Sequence, residues 1–186
     1  MAAQVARRMF STEEFHRMAQ AGILAEHDRV ELIEGEIIRM SPIGSRHAAC
    51  VDRLTGLFAR RFGRRAIVRV QSPIVLSRRS EPQPDVAVLK PRPDFYAEKH
   101  PGPGDVLLVV EVVETSGDYD RTTKLPLYAR AGIREVWLID LPRNTIATYR
   151  QPTLRSYRDA DHVSRGERLF PATFPRTLFR VSEILG

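Results

Sequence analysis

The chain has 186 residues, 42% hydrophobic and 28% charged, with a formal net charge of +6. That composition is ordinary for a globular protein and excludes a fibrous or low-complexity chain. No apolar run approaches the ~20 residues a membrane-spanning helix needs. Cys50 is the only cysteine, which excludes an intrachain disulfide and a cysteine zinc cluster.

The length is that of one domain, residues 1–186, large enough for a core of its own. The N-terminal residues lack the apolar stretch of a signal peptide, so the expected compartment is the cytoplasm. The positive balance favours an anionic partner, nucleic acid first. A solvated basic surface reflecting arginine-rich composition is the alternative. The only lysines are Lys90, Lys99 and Lys124, so nearly every cation is an arginine. Lysine can lose its proton when buried and arginine does not, which gives a lysine near an acidic site added weight.

Residues 1–10 read as a flexible arm. Ser11-Thr-Glu-Glu14 has the form of a capping box, opening a helix from Thr12 to Ala21 that stops at Gly22. Residues 29–34 and 36–40 read as two short strands broken by a turn at Gly35 and closed by Ser41-Pro42. From Ser45 to Phe62, His47, Val51, Leu54, Leu57, Phe58 and Phe62 recur at three- and four-residue steps, the spacing of an amphipathic helix. Its other face carries Arg46, Arg53, Arg60 and Arg61. Residues 66–70 and 73–77 are β-branched and read as strands, followed by a turn at Arg78-Arg79. Pro82-Gln-Pro-Asp85-Val-Ala-Val-Leu89 reads as a strand with Asp85 at its entrance, where proline is tolerated.

Residues 90–105 read as a surface loop. The strand 106–114 precedes a helix ending at Ala131, with Gly132 as its stop. Pro126 belongs in a first helical turn, so the regular helix starts near Thr122–Lys124 or kinks there. Residues 135–140 and 145–149 are two further strands. Beyond 150 the chain reads as polar and irregular, with a weak helix at 178–185.

The run 106–114 is continuously apolar except for Glu111 and Glu114, as a strand buried on both faces would be. An ionised carboxylate inside such a strand costs several kcal/mol unless paired or coordinated. Asp85 opens another β-rich run. If the two strands are neighbours, their carboxylates converge and form an oxygen-donor site of the Mg²⁺ type. Lys124 lies where a segment folding back from the same strand end could reach it. Taken alone, two acids and a lysine are equally compatible with a structural ion pair. Cys50 reads as a small buried hydrophobe, Trp137 and Tyr128 as core, and Asp118 and Asp120 as turn or capping residues.

The pattern resembles the Uma2-like group (DUF820) of the PD-(D/E)XK nuclease superfamily over about residues 29–149. The matching pieces are Glu31-Leu-Ile-Glu-Gly-Glu36-Ile, His47 opening a helix, Gln83-Pro-Asp85-Val-Ala-Val and Val109-Val-Glu111-Val-Val. The most specific is Tyr119-Asp-Arg-Thr-Thr-Lys124 through Trp137-Leu-Ile-Asp140. The resemblance implies an α/β (α+β) fold with a restriction-endonuclease-like core, a mixed sheet flanked by helices, plus the N-terminal helix and hairpin. It implies Mg²⁺ (or Mn²⁺) held by Asp85 and Glu111, with Glu36 completing the set, Lys124 as catalytic lysine and His47 at the site. The superfamily lysine stands two residues after the glutamate, where this chain has Val113; Lys124 from the following helix takes that part. The expected function is metal-dependent endonuclease action on DNA, by a homodimer. A catalytically weak nucleic-acid-binding or scaffold protein of the same fold is the alternative. Phosphate contacts are expected from the arginines of helix 45–62 and the Arg78-Arg79 turn.

Overall fold

The computed structural model describes residues 7–25, 27–115 and 118–186. Helix α1 (Thr12–Gln20) begins with the expected capping box. Ser11 Oγ accepts from the Glu14 N–H at 3.2 Å, and Glu14 Oε2 accepts from the Ser11 N–H at 2.9 Å. Strands β1 (Val30–Ile33) and β2 (Glu36–Arg39) form an antiparallel hairpin. Its turn is Glu34-Gly35, both with positive φ (50° and 89°), the conformation two-residue hairpins favour. Residues 1–6 of the expected arm lie outside the described residues. Residues 7–10 lie against the hairpin, where Phe10 donates to the Gly35 carbonyl at 2.9 Å and Arg7 pairs with Glu36.

Helix α2 (Ser45–Phe62) follows, and then the main sheet. Its six strands are β3 (Ile67–Val70), β4 (Val86–Leu89), β5 (Val106–Val113), β6 (Glu135–Asp140), β7 (Thr145–Pro152) and β8 (Tyr157–Ser164), adjacent in that order. The β5–β6 pair is parallel and every other pair antiparallel. Parallel neighbours need a crossover. Here it is a helical segment ending in α3 (Leu125–Arg130).

Side chains alternate between the faces of a strand. Leu108, Val110 and Val112 of β5 pack with Cys50, Leu54 and Phe58 of α2, and with Trp137. Val109 points the other way, into a second cluster with Leu127, Tyr128 and Ile133 from the α3 side. Glu111 shares the face of Val109, so it points toward α3. Short strands β9 (Arg168–Leu169) and β10 (Phe179–Arg180) and helix α4 (Val181–Leu185) close the α2 side, with Phe179 edge-on to Phe58 and Trp137.

Three expectations change. Residues 73–77 form no regular ladder: Ile74, Val75 and Leu76 donate to Pro82, Pro101 and Ser80, three separate places. Residues 150–152 and 157–164 are strand rather than irregular. Strand β8 buries only Tyr157 and Val163 because it is a sheet edge, so its sequence carries no apolar alternation. Around Pro126 the chain forms a π-helical turn, Asp120–Lys124, with Leu125 donating to the Asp120 carbonyl five residues back. Pro126, lacking an N–H, then sits in the first turn of α3. The helix end is as expected, with Gly132 at φ 79° and Ile133 donating to Tyr128.

Candidate active site

The C-terminal end of β5, the entrance of β4, the start of α2, the hairpin and the π-turn together line a cleft of about 450 Å³. Pairing of β4 with β5 brings Asp85 beside Glu111, and the Asp85 N–H donates to Glu111 Oε2 at 3.2 Å. Asp85 Oδ2 accepts from the Val112 N–H at 2.8 Å and lies 3.0 Å from His47 Nε2. Its Oδ1 accepts from the Gln71 side chain at 3.3 Å. Gln71 holds a left-handed backbone (φ 44°), and its N–H donates to the Asp85 carbonyl. Burial alone would raise the Asp85 pKa. The His47 bond, with help from Val112 and Lys124, outweighs it and holds the carboxyl below its usual range. Asp85 in turn raises the His47 pKa, against the effect of burial.

Glu111 is 3% exposed. Its Oε1 accepts from the Tyr128 hydroxyl at 2.6 Å and lies 3.3 Å from Lys124 Nζ. Lys124 reaches equally to Glu31 Oε2, at 3.3 Å. Burial raises the Glu111 pKa even though Lys124 pulls it down. Burial acts to lower the Lys124 pKa, but Glu111, Glu31 and Asp120 overcome it, so the ammonium stays charged. Asp120, on the π-turn, also lines the cleft, and burial raises its pKa.

Asp85, Glu111, Lys124 and His47 therefore meet. Glu36 does not. It lies on the same hairpin face as Glu31 but at the turn end, because the register pairs Glu31 with Ile38 and Ile33 with Glu36. Its carboxylate pairs with Arg7 outside the cleft. The hairpin's contribution is Glu31, which accepts from the Gln83 N–H at 3.1 Å and the Tyr119 hydroxyl at 3.2 Å. The signal that marks Glu111, a carboxylate inside an apolar run, was present in Val30-Glu-Leu-Ile33. Tyr128 and Asp120 are further departures: the first is buried as expected but bonds Glu111, and the second faces the cleft rather than capping a turn.

The expected phosphate contacts also shift. Arg53 donates to the Ile184 and Leu185 carbonyls, and Arg61 to Leu178 and Glu183, so both tie the C-terminal helix to α2. Arg78 and Arg79 do not line the cleft; Arg29 and Arg39 do.

A family model described as "Uma2: Putative restriction endonuclease" matches residues 12–180. The chain belongs to the Uma2 family. Among solved structures, a "putative nuclease belonging to DUF820" from Anabaena variabilis superposes with a TM-score of 0.75. The superposition covers 95% of this chain and 97% of that one, at 15% identity. The two share the Uma2-type fold, a mixed sheet flanked by helices. No curated protein matches the sequence. Among the described residues no helix is long and apolar enough to cross a membrane.

Proposed function

We propose that the chain is a divalent-metal-dependent endonuclease that hydrolyses phosphodiester bonds of DNA in this cleft. The reading is carried by the meeting of Asp85, Glu111 and Lys124, which three separate elements bring together at the end of β5. Five carboxylates, Glu31, Asp85, Glu111, Glu114 and Asp120, line the cleft against Lys124, Arg29 and Arg39. Burial raises the pKa of both Glu111 and Asp120 even with Lys124 beside them, and a bound cation would favour their ionised forms. An all-oxygen donor set of this kind suits a hard cation such as Mg²⁺ or Mn²⁺. When bound, such an ion polarises a phosphate and lowers the pKa of an attacking water.

Asp85 and Glu111 would hold the ion, with Glu31 in place of Glu36 on the hairpin side. Lys124 stays protonated, which makes it a source of positive charge for the transition state rather than a base. His47 is a positioning residue that fixes the Asp85 carboxylate. Arg29 and Arg39 meet the flanking backbone phosphates.

Purified protein incubated with supercoiled and single-stranded DNA should cut in Mg²⁺ or Mn²⁺ and not in chelator. Asp85→Ala and Glu111→Ala should each abolish cutting while the chain stays folded by circular dichroism. Cleavage surviving either substitution would sink the reading. Salt-sensitive DNA binding with no metal-dependent cutting would instead favour a nucleic-acid-binding protein of the same fold.

A further inference from the structure

Behind the hairpin, away from the cleft, three side chains from distant parts of the chain meet: His16 of α1, Glu81 after the Arg78-Arg79 turn, and His100 of the 90–105 loop. One ligand atom from each can be chosen so that all lie within 4.8 Å of one another. None of the three lines the acidic cleft.

Glu81 is the buried member, its side chain 3% exposed. Its backbone is fixed to β1, donating to the Leu32 carbonyl at 2.7 Å. His16 Nε2 lies 2.9 Å from Glu81 Oε1 and 2.8 Å from Oε2. The ring nitrogen faces both oxygens, and the buried Oε2, though 2.8 Å from it, receives no well-aligned hydrogen bond. A buried carboxylate oxygen left unsatisfied costs about 1–3 kcal/mol or more, so its retention calls for an explanation. The His100 ring stands 6.1 Å, centroid to centroid, from that of His16 and tilts toward an edge-on arrangement. Both histidines reach solvent, with the His16 side chain 44% exposed.

We propose that His16, Glu81 and His100 form a second metal site, distinct from the cleft, for a Zn²⁺-class transition-metal ion. Two imidazoles and one carboxylate are three protein ligands of the type such ions take, with solvent available for a fourth position. Imidazole donors distinguish this site from the cleft, whose oxygen donors suit a harder cation. Glu81 Oε2, which now faces only the His16 ring, supplies the anionic donor. Because the ligands come from α1, the segment after residue 77 and the 90–105 loop, the ion would tie the N-terminal helix and that loop to the hairpin's support. Its role is structural and does not depend on the reaction proposed for the cleft.

The test uses the tag-free full chain, stripped with chelator and then held in excess Mg²⁺ to occupy the oxygen-lined cleft. Zn²⁺ is titrated against a chromophoric chelator, and Co²⁺ is followed by its visible absorption. One ion per chain should bind, and Zn²⁺ should raise the thermal midpoint by mass action. His100→Ala and His16→Ala should each weaken binding by more than the roughly 10–100-fold typical of losing an outer-shell partner, and should remove the Zn²⁺-induced shift. Both histidines are at the surface, so the metal-free midpoint of each variant reports whether the fold survived. Absence of stoichiometric binding would overturn the proposal, as would binding unchanged in both variants.

Discussion

Lys124 is a buried cation with two carboxylate partners, and its structural role and its proposed catalytic one are separable by experiment. It is 5% exposed and lies 3.3 Å from both Glu31 and Glu111. Removing one member of a buried ion pair leaves the other charged and unpaired, at a cost of ~3–5 kcal/mol. Lys124→Met, which keeps most of the side-chain volume, should therefore lower metal-free stability by up to about that amount in urea unfolding at alkaline pH, where Glu111 is ionised. The penalty exists while Glu111 is ionised. It should shrink as pH falls and Glu111 takes up its proton, because burial raises that carboxyl's pKa to about 8. A variant as stable as the parent at alkaline pH would show that the lysine does not stabilise the buried acids. At this scale the sequence carried Glu111, as a charge inside an apolar run, and Lys124, as a rare lysine. It could not carry Tyr128, because burial and bonding to Glu111 look alike in sequence: both read as an aromatic in a helix.

At the scale of the element, the hairpin turn decides whether Glu31 reaches the cleft. Gly35 has φ 89°, and a Cβ there would lie 2.7 Å from Met9 Cβ and 3.1 Å from Met9 Cα. Gly35→Ala therefore meets both an unfavourable backbone and a chain that cannot easily yield. The expected cost is about 1–3 kcal/mol, read as a lower denaturant midpoint with an unchanged slope. An unmoved midpoint would mean that residues 7–10 do not hold against the turn. Buried strands were legible because both faces are apolar, as in Val106–Val113 and Glu135–Asp140. The edge strand Tyr157–Ser164 was not, since exposure removes the alternation that reports a strand. Which of Glu31 and Glu36 reaches the cleft is hidden in the sequence for a related reason. Both are acids on one face of one hairpin, and only the register says which lies at the cleft end.

At the scale of the molecule, the net charge of +6 is not a uniform basic surface. Arg53, Arg61, Arg121 and Arg150 are engaged in internal bonds, which removes part of that charge from any ligand's reach. The cations at the cleft are Arg29, Arg39 and Lys124. If the proposed DNA complex forms there, each phosphate neutralised contributes about −0.9 to the slope of log affinity against log salt. Arg39→Ala should weaken binding similarly for all sequences and reduce that slope by about 1, measured by fluorescence anisotropy over a salt series. An unchanged slope would place the DNA elsewhere on the surface. The fold class was legible through the family resemblance carried by segments such as residues 119–124 and 137–140, which implies a mixed sheet. The arginine map was not, because which cations are internally bonded depends on how the C-terminal helix packs on α2.

The parallel pairing of β5 with β6 also sets an order of assembly. His47 and Asp85 can meet while the chain is still short, but Lys124 joins Glu31 across 93 residues only after the crossover folds back. Such long-range closures pay loop entropy before contacts repay it and form late in folding. A chain emerging from the ribosome thus carries Glu31 and Asp85 before the cation proposed for catalysis is seated, so a cleavage activity at this site would switch on only once the crossover has formed.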